Sequence, residues 1–170
     1  MYRDMTIYEL NKSFKAGLAL IYSAGYGTLQ YAVKKLLENS LIFFHETVEN
    51  GRNKKIYRIT DAGREEFFRW MEAETSLGKL ETIALSKVFF LGLIDEKEKR
   101  QAIVAELIEK ITLVEGQLKS YEGEIEALPL SPEERKTARY QFKTLNYGIM
   151  SHGAARLWFE GLLKEIQTEV

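Results

Sequence analysis

The sequence predicts a mainly α-helical protein with one small β-wing, its strands placed early and its longest helices late. Three observations predict this. Tyr26-Gly-Thr-Leu-Gln-Tyr-Ala-Val-Lys-Lys-Leu-Leu37 carries apolar residues at helix spacing. Leu41–Val48 and Ile56–Ile59 are rich in aromatic and β-branched residues and flank Asn50-Gly51, a pair that tolerates the positive φ of a hairpin turn. The second half is helical by pattern throughout. A short helix, a hairpin with a basic tip and a further helix is the order of a winged helix-turn-helix, a fold that commonly sets one helix in the DNA major groove and a wing on the backbone. The expected architecture is an N-terminal winged helix-turn-helix followed by C-terminal long antiparallel helices.

The first element starts at Thr6-Ile-Tyr-Glu9, a capping box in which hydroxyl and carboxylate satisfy each other's backbone N–H. A helix is expected from Thr6 to about Ser13, with Ile7, Leu10, Asn11 and Phe14 forming a mostly apolar stripe. Lys15–Ala24, apolar and containing Gly17, reads as a partly extended link into the second helix, for which Gly25 is an acceptable N-cap. There Leu29, Val33, Leu36 and Leu37 are expected to face the core. Tyr26, Gln30, Tyr31, Lys34 and Lys35 are left largely on the other faces. An outer face of amide, phenol and ammonium suits a DNA groove; a merely solvated face has the same composition.

The hairpin tip, Gly51-Arg-Asn-Lys-Lys55, is expected to hold three cations on a small loop. It is either a wing resting on phosphates or a solvated hairpin end that resists edge pairing. Thr60 caps a helix from Asp61 to about Met71, loaded with Phe67, Phe68, Trp70 and Met71. Ala73–Gly78 is a weak break, so the expected division is a winged-helix domain over 1–74 and a helical dimerisation domain over 75–170.

In the second half, Leu80–Leu93 carries too many apolar residues for a freely solvated helix, and Asp95-Glu-Lys-Glu98 is a cap-like start for the next. Ile103, Leu107, Ile111, Val114, Leu118, Tyr121, Ile125 and Leu128 then step by 4, 4, 3, 4, 3, 4 and 3, close to a heptad seam that Pro129 ends. Ser131-Pro-Glu-Glu134 supplies N-cap, N1 proline and N3 glutamate together. The last helix runs toward Gln167, roughly 50 Å at ~1.5 Å per residue. Two long antiparallel helices with exposed apolar seams do not close a core alone. The simplest partner is a second copy of the chain; the other arrangement is a helical hairpin packed on the first half.

Composition narrows the function. Apolar residues make up 45% of the 170, enough for a buried core. With no cysteine there is no disulfide, thiolate zinc site or cysteine nucleophile, which fits a reducing cytosol. No apolar run approaches the ~18 residues of a membrane span, and the N-terminus lacks a signal-peptide core. A cytoplasmic protein without a membrane partner is expected. His45 and His152 stand apart from any nucleophile or ligand cluster, Glu122, Glu124 and Glu126 read as a solvated run, and no phosphate-binding glycine loop occurs. No enzymatic activity, metal or cofactor is expected. The net charge is −1, but residues 1–72 carry +2 and residues 73–170 carry −3. Lys34, Lys35, Arg52, Lys54, Lys55 and Arg58 crowd the stretch from Gln30 to Arg58 against Glu38, Glu46 and Glu49. Phosphate contact needs such a local patch, not a basic protein.

Tyr26-Gly27-Thr28-Leu29 with Val33, Leu36 and Leu41-Ile42, the segment Gly51–Tyr57 followed by Ile59-Thr60-Asp-Ala-Gly63-Arg64, and Thr6-Ile-Tyr8-Glu9-Leu10 together resemble the PadR family of bacterial transcriptional regulators. The resemblance covers about residues 5–71. The second half resembles the long-helix dimerisation domain of the variant shared with virulence-type activators, more loosely, through Tyr147-Gly148 and Leu157-Trp158. Three departures stand out. The family usually has a helix before the segment at Thr6, where five residues precede here; Gln30-Tyr31 stands where the family often has Tyr-Pro; Ser40 replaces a common Gly.

The resemblance implies a sequence-specific dimeric repressor, relieved by a small molecule or another signal, with its two reading helices about 34 Å apart on double-stranded DNA. Gln30 is the expected base reader, since an amide can pair bidentately with adenine. Tyr26, Thr28 and Tyr31 are expected on backbone or thymine methyls, and Lys34, Lys35, Arg52, Lys54 and Lys55, with Asn53 between them, on phosphates. Trp70, Phe89, Phe90 and Trp158 are candidates for an effector pocket, or ordinary core aromatics. The alternative to a regulator is a dimeric winged-helix interaction module that has lost DNA binding.

Overall fold

The structure, a computed structural model, describes residues 4–17, 25–49 and 51–169. It divides into two compact units, Met1–Ala73 and Glu74–Val170.

The first unit holds α1 (Ile7–Ala16), α2 (Tyr26–Glu38), the antiparallel pair β1 (Ile42–Glu49) and β2 (Arg52–Ile59), and α3 (Asp61–Glu72). The capping box at Thr6 is present: its N–H donates to the Glu9 carboxylate at 2.8 Å, and its hydroxyl accepts from the Glu9 N–H at 3.2 Å. Helix α1 runs further than the pattern suggested. Lys15 and Ala16 are helical, and Gly17 closes the helix by donating to Ser13 and Phe14. The rest of the expected link, Leu18–Ala24, lies outside the described residues.

Helix α2 begins at Gly25 and ends in a paired turn. The Leu41 N–H bonds to the Leu36 carbonyl and the Ser40 N–H to the Leu37 carbonyl, both at 2.9 Å, which satisfies two carbonyls of the last turn. This closure places Ser40 at φ 56°, a left-handed backbone in a residue with a Cβ. Gly51 takes φ 72° at the hairpin turn; its partner Asn50 lies outside the described residues. The tip is not the loop that the sequence suggested. A turn this tight lets pairing begin at Glu49–Arg52, so Arg52–Lys55 already belong to β2. A further bridge joins Met5 to Tyr57: the Met5 N–H donates to Tyr57 O at 3.1 Å and the Tyr57 N–H to Met5 O at 2.8 Å. The start of α1 is thereby stitched to β2. Thr60 caps α3 by accepting from the Gly63 N–H at 3.0 Å. Among the described residues of this unit, Val33 and Met71 are the buried apolar side chains.

The second unit holds α4 (Leu80–Phe90), α5 (Lys97–Glu126) and α6 (Pro132–Thr168), with single 3-10 turns at Leu77–Lys79 and Leu91–Leu93. Its first strand of chain is pinned by a buried cluster. The Thr75 N–H and hydroxyl donate to the Glu106 carboxylate at 2.9 and 2.8 Å, and Lys87 donates to the Thr75 hydroxyl at 3.1 Å. Burial pushes the Lys87 pKa down. Helices α5 and α6 pack antiparallel: Arg100 meets Glu169, Glu115 meets Arg156, and Leu118 lies against Gly148. The core gathers Ile103, Val104, Leu107 and Ile111 of α5, Ala138, Phe159 and Ile166 of α6, and Leu80, Ala84, Leu91 and Ile94 before them. Ser131 and Glu134 form the capping box at the start of α6.

Two expectations fail in this unit. Asp95 does not cap α5; the N-cap is Glu96 with no side-chain bond, and Arg100 instead donates to the carbonyls of Ile94 and Asp95 at 2.7 and 2.9 Å. The heptad seam is buried only at its start. Tyr121 and Leu128 are more than half exposed, and α5 ends at Glu126, before Pro129. A straight helix drifts about 20° per heptad against a strict seven-residue repeat, so a linear seam turns off its partner within a few turns.

Candidate nucleic-acid interface

The outer face of α2 is set by its inner one. Val33 is buried and Leu29 and Leu37 are half-buried, which turns Thr28, Tyr31, Lys34 and Lys35 away from the unit and leaves Tyr26 and Gln30 exposed on its flanks. Leu36 departs from expectation. It is 38% exposed because it lines an open cavity of about 820 Å³ with Leu10, Leu29, Ile59, Phe67 and Trp70, instead of closing a core. Among the described residues no side chain caps the N-terminus of α2, whose N-cap is Gly25.

The cations on this face are partly engaged. Lys35 donates to the Glu38 carboxylate at 2.8 Å and lies 5.8 Å from the Tyr31 ring centre; Lys34 stands 3.9 Å from the same carboxylate. All three charged groups are 44% exposed or more, so each pair contributes little and exchanges readily for a phosphate.

The wing presents its cations along β2. Lys55 lies 3.9 Å from Glu46 and 4.3 Å above the Phe44 ring, whose other neighbour is Tyr57 at 5.8 Å between centres. Arg52 and Asn53 are exposed and Lys54 is half-buried, opposite Thr47 in the register. Arg52 makes no ion pair among the described residues. Arg58, counted with the basic patch in the sequence, is held by a carboxylate of its own unit although its side chain is 54% exposed. Its Nε donates to both Asp4 oxygens at 2.9 and 3.0 Å, and this bond holds the Asp4 carboxyl below the usual carboxylate range. The Asp4–Arg58 pair and the Met5–Tyr57 bridge were invisible in the sequence, because neither follows from spacing within one element.

The proposed effector aromatics are divided between the two units. Trp70 lines the cavity of the first unit, while Phe89 and Trp158, in the second, are each about half exposed. Phe90 and Phe159 meet these two edge-on, at 5.0 Å between ring centres in each case. His152 contacts the Gly148 carbonyl of its own helix at 2.8 Å. Among the described residues no helix is long and apolar enough to cross a membrane.

A helix with a polar outer face, a two-stranded wing and a capped helix behind it define a winged helix-turn-helix, a class of DNA-binding domain. The chain belongs to the transcriptional regulator PadR-like family, whose model matches residues 2–69; the virulence activator alpha C-term model matches residues 83–167. The negative transcriptional regulator PadR of Bacillus subtilis (strain 168) is 22% identical over 98% of this chain and 92% of its own. Among solved structures, Bacillus subtilis PadR in complex with operator DNA is similar at 20% identity and TM-score 0.40, over 96% of this chain and 92% of that one. The Vibrio cholerae virulence activator AphA is similar at 21% identity and TM-score 0.38, over 97% and 91%.

Proposed function

We propose that the chain is a dimeric repressor that reads duplex DNA with α2 and holds the backbone with its wing. The observation that carries this is the outer face of α2. Gln30, Tyr31 and Thr28 offer hydrogen-bonding groups to base edges and sugars, and Lys34 and Lys35 flank them with charge that only solvent-exposed pairs restrain. Arg52, Asn53, Lys54 and Lys55 of the wing, and Tyr26 at the start of the helix, extend the contact to phosphates. Similarity along 98% of the chain to a protein named a negative regulator supports repression.

Dimerisation through α6 has its own support. Tyr140, Tyr147, Met150 and Leu157 step by 7, 3 and 7 and are each at least 63% exposed, a second heptad stripe left open by the α5–α6 packing. Trp158 adjoins this stripe. An effector fits the cavity lined by Trp70, whose size is that of a small-ligand site; an occupant there would press on Leu29 and Leu36 of α2.

The test is binding of the chain to DNA from just upstream of its own coding region and to a scrambled duplex, across a salt series. Tight, salt-steep and selective binding is expected, with selectivity reduced by Gln30→Ala. Equal, weak binding to both duplexes would sink specific readout. One observation favours the second reading, an interaction module without DNA binding: Lys34, Lys35 and Lys55 all lie near carboxylates of their own unit. Charge reversal at Lys54 and Lys55 separates the two, since a regulator loses DNA and a module keeps its protein partner.

A further inference from the structure

We propose that the end of the α5–α6 hairpin is a binding site for a small apolar zwitterion, a molecule with a primary ammonium and a carboxylate on a hydrocarbon body, such as an apolar amino acid or dipeptide. The site is a cavity of about 380 Å³ where α5 ends and α6 begins. It lies within the second unit and takes no part in the proposed reading of DNA. Its size falls at the small end of ligand pockets, ~300–1,000 Å³.

The lining carries both signs of charge. Helix α5 contributes Glu122 and Glu126, and α6 contributes Arg135 and Lys143. Elsewhere in this unit the charges of different elements have closed into pairs: Glu74 with Lys110, Arg100 with Glu169, Glu115 with Arg156. Among the described residues, none of the four at the cavity makes an ion pair. The two signs share one space and leave it unbridged.

The end of α5 sharpens the imbalance. Glu122, Glu124 and Glu126 crowd its final turns, and its last turn holds no basic residue. Acids there add to the negative end of the helix dipole, which favours a cation. The last lysine of the helix, Lys119, is turned back to Glu115 at 2.6 Å. An ammonium group in the cavity would supply the missing charge. On α6, Arg135 donates from Nε to the Leu130 carbonyl at 3.0 Å, and its terminal nitrogens make no bond among the described residues. That free edge of a planar fork suits a carboxylate. The rest of the lining is apolar. Ile125, Leu130 and Phe142 are half-buried, and Leu128 is 52% exposed. A bare ion would leave this surface wet, whereas a hydrocarbon body would cover it. Two acids and two bases cancel, so the matching ligand is neutral overall and carries both charges.

The experiment titrates the full chain by calorimetry with L-leucine and with L-leucyl-L-leucine, and with the N-acetyl and C-terminal amide forms of each. Saturable binding of at least one zwitterion is expected, the tighter of the two setting the spacing of the charges. Each blocked form should bind at least ~10-fold more weakly. Glu122→Gln with Glu126→Gln is expected to abolish the preference for the free amine over the acetylated one and to keep the preference for the free carboxylate. Arg135→Gln with Lys143→Gln is expected to do the reverse. Because Arg135 also holds the Leu130 carbonyl, Lys143→Gln alone repeats the second test with that bond kept, and circular dichroism checks helix content throughout. No saturable binding of either zwitterion up to ~10 mM, blocked forms that bind as well as free ones, or preferences unchanged in the variants would each overturn the inference. The reading of α2 and the wing stands apart from all three results, since no residue of the first unit is involved.

Discussion

Gly63 sits against the carbonyl of Leu41 so closely that a Cβ at position 63 would lie 2.0 Å from the Leu41 oxygen and 2.8 Å from an Ile59 side-chain carbon. The same oxygen accepts the Thr60 N–H at 3.0 Å, so the start of α3 is locked onto the exit of α2 across the base of the wing. Backbone cannot yield as a flexible side chain does. Gly63→Ala is therefore expected to destabilise the first unit by at least ~1–3 kcal/mol, read as a lower denaturation midpoint, and to weaken DNA binding through the displaced wing.

Ser40 gives a prediction of opposite sign. A left-handed residue with a Cβ costs roughly 1–2 kcal/mol, while glycine loses about 0.5–1 kcal/mol more chain entropy on folding. Ser40→Gly at φ 56° should then raise stability by a net ~0.5–1 kcal/mol, measurable by urea unfolding, with the turn bonds from Leu41 and Ser40 kept. No change or a loss would show that the Ser40 side chain offsets the strain.

These two positions mark what a linear chain reveals. Thr6, Thr60 and Ser131 were legible as helix starts because a cap is a contract between residues three apart. Gly51 was legible because positive φ selects its residue type. The candidate outer face of α2 was legible as periodicity. The Arg58–Asp4 pair joins residues 54 positions apart, and Glu115 with Arg156 joins residues 41 apart; neither separation leaves a mark on local pattern. The seam of α5 was legible at Ile103, Leu107 and Ile111 and misleading at Tyr121, because spacing records a period but not the axis about which two helices turn.

Glu115 is such a long-range feature. It is buried between α5 and α6, accepting from Lys119 at 2.6 Å and from Arg156 Nε at 2.9 Å, while Arg156 also donates to Glu160 at 2.8 Å. Hydrogen bonds from Lys119 and then Arg156 lower its pKa from the usual 4.5. The sign follows: a depressed carboxyl stabilises the fold above its unfolded value, and that contribution is lost as pH falls below 4.5 through the folded value. Glu115→Gln should lower the melting temperature at pH 7, and the gap to wild type should shrink as the solution is acidified. A gap independent of pH would show that the loss is one of packing alone.

The open stripe of α6 predicts assembly. Met150→Glu with Leu157→Glu places two carboxylates where a second copy would bury apolar surface. Sedimentation should show a dimer for the wild type and a monomer for the variant, with helix content kept. A variant that stays dimeric would move the interface elsewhere.

Among the described residues, the first unit buries two apolar side chains, Val33 and Met71, where the second buries eleven. Such a chain should not melt as one body. The proposed DNA-binding head is the part expected to open first and to be trimmed by proteases, leaving a helical stump that keeps the proposed dimer face. In a mixed dimer, a stump would strip its intact partner of the ~10²–10⁴-fold gain that comes from tethering two heads on one operator. On the proposed dimeric reading, partial degradation would then act as a dominant inhibitor, each trimmed chain freeing a whole operator although half of its dimer is intact.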